Sequence, residues 1–211
     1  MPPQPPTAAH ERGRVVKGFD VVPGGPGDRR AFFRDSLGRW VEGMMESAEE
    51  RVVKKRYLRP PGALTEVAFL AACTRCGECL PVCPPAAIQK VPASGGLAAG
   101  TPFLDPSVQG CIVCEEMPCV AACPTEALTL PPEGWRGYRM GHLELSPERC
   151  VTFSGTTCRA CADACPVGET ALAMDEAGHP VLKREGCVGC GVCVRACITY
   201  PSSYRLRPLE R

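Results

Sequence analysis

Sixteen cysteines fall into four groups of four: Cys73, Cys76, Cys79 and Cys83; Cys111, Cys114, Cys119 and Cys123; Cys150, Cys158, Cys161 and Cys165; Cys187, Cys190, Cys193 and Cys197. Three of the groups end in Cys-Pro. Tight loops that carry three thiolates, each followed by a fourth cysteine at the start of a helix, are the ligand pattern of bacterial cubane iron-sulfur centres. The chain therefore reads as an electron wire.

Groups one and four, C-x2-C-x2-C-x3-C, crowd three sulfurs into one loop able to wrap three corners of a cube, while the fourth cysteine can reach across to another cube. Gly77, Gly189 and Gly191 suit such loops, because a backbone without Cβ turns tightly and approaches a cluster closely. Group two has a longer loop containing Glu115 and Glu116, whose negative charge beside a cube should lower its potential. In group three Cys150 must reach in over the seven residues VTFSGTT, so a labile or incomplete site is expected there if anywhere.

Other cysteine chemistries fit poorly. Structural zinc sites with four cysteine ligands use two separated C-x2-C knuckles, whereas here three or four cysteines share one loop. A disulfide scaffold implies a smaller, secreted chain, and thiol redox catalysis needs one poised pair. His10, His142 and His179 are isolated and read as surface or strand residues, and Trp40 and Trp135 as packing residues. No phosphate loop, dinucleotide fingerprint, nucleophile elbow or HExxH is present, so no catalytic residue is assigned and the chain is read as an electron carrier, not an enzyme.

The elements that must position these thiols are short. With 23 Pro, 22 Gly and 12 aromatic residues in 211, a large conventional core is not expected, and clusters would supply the missing stabilisation. Residues 1–27 mix Pro, Gly and isolated charges and read as a disordered tail. From Asp28 to about Arg56 apolar residues recur at steps of three and four, predicting an amphipathic helix; the unit is drawn as 28–58. Its start, DRRAFFRDSL, resembles a twin-arginine export signal, but the apolar segment that should follow is replaced by an amphipathic, charged stretch.

Residues 59–211 form the four-cluster region, entered by a short helix over Leu64 to Ala72. Its connections repeat one theme: Cys-Pro, a helical turn (PPAAI, PTEAL, PVGETAL), a strand, a turn and a second strand, as in ALAM from Ala171, the turn Glu176-Ala177-Gly178, and PVL from Pro180. Such a repeat predicts an α+β fold of duplicated bacterial ferredoxin-like units, two modules of two 4Fe-4S clusters each. The longest uncharged stretch, Val91 to Leu104, is broken by Pro and Gly and is too short to span a bilayer. Formal charge is +1, and four oxidised clusters would bring it to about −7, with a basic first 60 residues before an acidic body, an arrangement suited to orienting encounters with redox proteins. No nucleic-acid partner is expected.

The stretches RPPGALTEVAFLAACTRCGECLPVCPPAAI, CIVCEEMPCVAACPTEAL, CVTFSGTTCRACADACP and CVGCGVCVRAC together resemble the NapG/MauM family of ferredoxin-type proteins, related to the iron-sulfur subunits of the DMSO reductase family. The resemblance covers about Arg59 to Cys197 and includes the unequal gaps of groups two and three. It implies four 4Fe-4S clusters, all sixteen cysteines as ligands, and electron carriage beside membrane quinol-oxidising partners in periplasmic nitrate reduction or methylamine oxidation. The family is usually exported with a full twin-arginine signal; without the apolar segment this chain is expected to be cytoplasmic or peripheral to a membrane, the alternative being periplasmic.

Cluster pairing has two solutions. In tandem, group one pairs with two and three with four. In the nested arrangement of iron-sulfur subunits of molybdenum oxidoreductases, which the extended second loop resembles and which is the expectation here, Cys197 completes the first cube, Cys83 the fourth group's, Cys165 the second's and Cys123 the third's. The function expected is a polyferredoxin relaying single electrons, with an electron-transfer subunit of a multisubunit oxidoreductase or a maturation factor as alternatives.

Overall fold

Segments of this chain between cysteines are short and interrupted by Pro and Gly, so its elements are short too. The computed structural model describes residues 56–209. The tail expected over residues 1–27, nearly all of the 28–58 helix with its twin arginines, His10 and Trp40 lie outside the described residues.

Helix α1 (Glu66–Ala72) falls within the stretch expected to be helical. Glu66 in its first turn suits the positive end of the helix dipole, and Phe69 is completely buried. The helix ends where Cys73 takes up an extended backbone, which delivers that thiol. Glu66 is itself buried because Arg59 meets it with two parallel bonds, Nη2 to Oε1 at 2.6 Å and Nε to Oε2 at 2.9 Å. The same guanidinium bonds Thr101 Oγ1 and the Pro102 carbonyl at 2.9 and 2.8 Å and lies 4.6 Å over the Phe69 ring. One cation thus ties the entering chain, α1 and a strand together.

Among the described residues, six strands make three two-stranded antiparallel sheets. Strand β1 (Ile88–Lys90) pairs with β2 (Pro102–Leu104), β3 (Gly141–Leu145) with β6 (Tyr204–Pro208), and β4 (Leu172–Met174) with β5 (Pro180–Leu182). The β4–β5 hairpin and its turn, where Gly178 has φ +81°, lie where the sequence puts them. Ala63 bridges Leu128, flanked by Leu64 N–H to the Ala127 carbonyl at 3.2 Å and Thr129 N–H to the Gly62 carbonyl at 2.8 Å. A closing pair (63 with 128, then β3 with β6) surrounding a hairpin (β1–β2, then β4–β5) therefore occurs twice. The first closure encloses cysteine groups one and two, the second groups three and four.

Two-stranded sheets of this size are not stable alone, and packing must hold them. The main core joins Phe69, Met117, Leu128, Tyr138, Met140 and Val188 with Cys79, Cys111, Cys119 and Cys190; a second gathers Leu143, Leu172 and Tyr204 with Cys161 and Cys193. Cysteines are thus part of both cores. Three further short helices, α2 (Pro118–Ala121), α3 (Ala160–Asp163) and α4 (Val192–Ala196), each carry cysteines from the loops into these cores.

Candidate metal centres

All sixteen cysteines lie among the described residues and all are free thiols. The loops of groups one and four turn as their glycines allow: Gly77, Gly189 and Gly191 have φ of +88°, +70° and +81°. A Cβ at Gly189 would stand 2.4 Å from the Gly141 carbonyl oxygen, so that loop can lie against β3 only with glycine there.

Cys111, Cys114 and Cys119 line one cavity together with Cys83, the last cysteine of group one. Its empty space, part of it open to solvent, is about 530 Å³. Cys187, Cys190 and Cys193 line a second, smaller cavity with Cys165, the last cysteine of group three. Each fourth cysteine has crossed to its neighbour in sequence. The exchange is reciprocal in the first half, where Cys123 of group two joins Cys73 and Cys76 as a charge neighbour of Cys79. In the second half Cys150, Cys158, Cys161 and Cys197 remain; Cys158 is a charge neighbour of Cys161, and Tyr204 has Cys161, Cys150 and also Cys193 of group four near it.

These neighbours differ from those of the nested expectation. Cys83 stands with group two and not group four, Cys165 with group four and not group two, and Cys123 beside group one and not group three. The cause is local strand pairing: the Ala63–Leu128 bridge closes the chain round groups one and two before group three begins.

Several buried thiols are held against their ionisation, whereas Cys123 and Cys197 are lowered by hydrogen bonds. Burial, with repulsion from neighbouring thiols, pushes Cys79 and Cys111 up to about 11 and Cys119 and Cys190 up to about 12, and raises Cys193 further. Thiolates gathered in such apolar surroundings need compensating positive charge, which iron provides. Among the described residues no three His, Cys, Asp or Glu side chains converge as they would on a single metal ion. Soft sulfur donors set round a cavity, with no histidine among them, fit a four-iron cube. His142 is exposed on β3, while His179 stacks on Phe153 at 4.2 Å with its Nδ1 buried and unbonded. Trp135 packs against the main core beside the first cavity. Glu116 is exposed, yet its charge reaches Cys114, where it adds to burial in raising the thiol.

Sequence reasoning missed the hydroxyls. Tyr204 Oη donates to Cys161 Sγ at 3.2 Å, Thr152 Oγ1 lies 3.2 Å from Cys150 Sγ, and Thr199 Oγ1 lies 3.1 Å from Cys197 Sγ. Burial pushes Cys197 up, but bonds from Thr199 and Ser203 outweigh it and bring the thiol to about 7. A signal was present, since Cys-x-Thr recurs at Cys123, Cys150 and Cys197.

Known families and proteins match along much of the chain. A 4Fe-4S dicluster domain matches residues 110–169, a second matches 142–198, and a 4Fe-4S binding domain matches 70–90. The first of these spans groups two and three and the second groups three and four. Ferredoxin-type protein NapG of Escherichia coli (strain K12) is 31% identical over 199 residues, 86% of each chain. Methylamine utilization ferredoxin-type protein MauM of Paracoccus denitrificans is 35% identical over 166 residues, 75% of this chain and 74% of its own. Ferredoxin-type protein NapF of Escherichia coli is 30% identical over 143 residues.

Proposed function

Because the chain belongs to the NapG/MauM family of ferredoxin-type proteins, iron-sulfur electron carriers, we propose that its cysteines hold four 4Fe-4S clusters in two tandem pairs that relay single electrons. The first site is Cys73, Cys76, Cys79 and Cys123; the second is Cys83, Cys111, Cys114 and Cys119. The third is Cys150, Cys158, Cys161 and Cys197; the fourth is Cys165, Cys187, Cys190 and Cys193. The observation that carries this reading is the cavity where Cys83 joins the second group's three thiols. Each cluster, when bound, takes up and gives back one electron.

The residues between the second and fourth sites support a continuous path. Cys111 N–H donates to the Cys190 carbonyl at 2.9 Å, Met140 N–H donates to the Val188 carbonyl at 2.8 Å, and Val188 lines both cavities. The electron route therefore runs first, second, fourth, third, which is not the order along the chain.

Substrate chemistry belongs to other chains, and this one serves redox proteins, among them a membrane quinol-oxidising subunit or an oxidoreductase whose active site is elsewhere. Among the described residues no helix is long and apolar enough to cross a membrane. Anaerobic purification with iron and sulfide counting tests the ligand set. Four clusters give about 16 irons per chain, and a count near four to eight, or zinc in place of iron, would overturn it.

A further inference from the structure

The third site differs from its neighbours in what touches its sulfurs. Three of its four cysteines have a hydroxyl within hydrogen-bonding distance: Tyr204 at Cys161, Thr152 at Cys150 and Thr199 at Cys197. The Ser203 backbone N–H adds a fourth donor, 3.4 Å from Cys197 Sγ, and the Ser203 hydroxyl lies 2.9 Å from Thr199 Oγ1. A thiolate bound to iron has no proton, so each hydroxyl beside it must donate. Elsewhere a hydroxyl approaches a cysteine sulfur at Cys123, at the longer distance of 3.9 Å from Thr125. The fourth site, by contrast, is walled beyond its cysteines by apolar residues such as Leu143, Leu172, Leu182 and Val188.

Reduction adds negative charge that spreads onto the ligating sulfurs. Donors aimed at those sulfurs strengthen as it arrives and stabilise the reduced form, more so where water is excluded. Tyr204, on β6, is 4% exposed, and Thr152 is buried as well. At the fourth site backbone N–H groups of Gly189 and Val192 favour the charged forms of Cys187 and Cys190, as that of Ser203 does for Cys197 at the third, and the charge of Arg139 acts on Cys187 in the same direction, but its guanidinium is already engaged by the carbonyls of Tyr138 and Glu185. One partly exposed cation weighs less than three direct O–H to sulfur bonds.

We propose that Tyr204, with Thr152 and Thr199, is a potential-setting residue that raises the third site's cluster above the fourth's, so that electrons come to rest at the third site. The proposal rests on the ligand assignment above. These residues are positioning groups that act through the ligating sulfurs, and a redox midpoint is what they should move.

The test is an EPR-monitored redox titration of anaerobically prepared full-length protein. The third site's signal is identified as the one that Cys158→Ala removes or converts. In Tyr204→Phe that signal alone should become harder to reduce, by on the order of tenfold in its reduction equilibrium, equivalent to about 59 mV for a one-electron couple. Thr199→Val and Thr152→Val should shift the same signal in the same direction, and remain readable if the tyrosine variant loses its cluster. Unmoved midpoints with the full iron count, a third-site midpoint below the fourth's in the unaltered protein, or loss of that cluster from all three variants would overturn the proposal while leaving four clusters in place. An unaltered protein with no fourth cluster signal would overturn the ligand assignment, and the proposal with it.

Discussion

Cys83 and Cys165 end their loops, yet each faces the thiols of the following group. The consequence is measurable one residue at a time. Cys83→Ala should remove or convert the same EPR signal as Cys111→Ala and leave the signal that depends on Cys73 unchanged; coincidence with Cys187→Ala instead would restore the nested pairing. The second residue-scale feature is Cys150, which the sequence marks as distant from its group. The structure bridges that gap with the short turn Val151–Ser154, a left-handed Gly155 at φ +85°, and the Thr152 hydroxyl beside a buried sulfur. The thiol whose site is expected to be labile is thus followed directly by a tightly turned segment.

Among the elements, α1 depends on a buried charge pair. Arg59 and Glu66 are 6% and 7% exposed, and neither has water to fall back on if the other is removed. Leaving one buried charge unpaired costs about 3–5 kcal/mol, whereas replacing both by apolar side chains is often neutral. Glu66→Ala should therefore bleach in denaturant much faster than the unaltered protein, with Arg59→Met/Glu66→Leu close to it, as followed by visible absorbance under anaerobic conditions. Equal rates for both variants would mean that the pair does not restrain α1. The pair matters to the first site because α1 leads directly into Cys73. In the strands, each hairpin contributes few bonds of its own, and the closing pairs Ala63–Leu128 and β3–β6 determine which loops are neighbours.

Across the whole described region, the halves meet where Gly110 packs on the start of α4. A Cβ at Gly110 would stand 2.6 Å from the backbone nitrogen of Val192, so no larger residue fits without moving the two loops apart. Since Cys111 and Cys190 are bonded through their backbones at this point, separation would lengthen the step between the second and fourth sites. In the fully reduced protein these two clusters should show magnetic coupling by EPR. Gly110→Leu should weaken that coupling and spare the coupling within each half; coupling of the first to the third site would contradict the proposed route.

Spacing along the chain was enough to single out candidate donors and their grouping, because three sulfurs on one short loop leave few other geometries for a cube. It also fixed the β4–β5 hairpin and α1, whose turn and helix patterns are local. Spacing is silent on where a fourth cysteine goes, since Cys83 is chemically as able to join one group as another; in the fold it lines a cavity with the thiols of group two. Tyr204 was invisible for the same reason: 43 residues separate it from Cys161, and the two meet only because β6 returns to pair with β3. Which thiols are candidate donors is thus legible in short sequence, while which of them become neighbours, and the hydroxyls beside them, depend on long-range pairing.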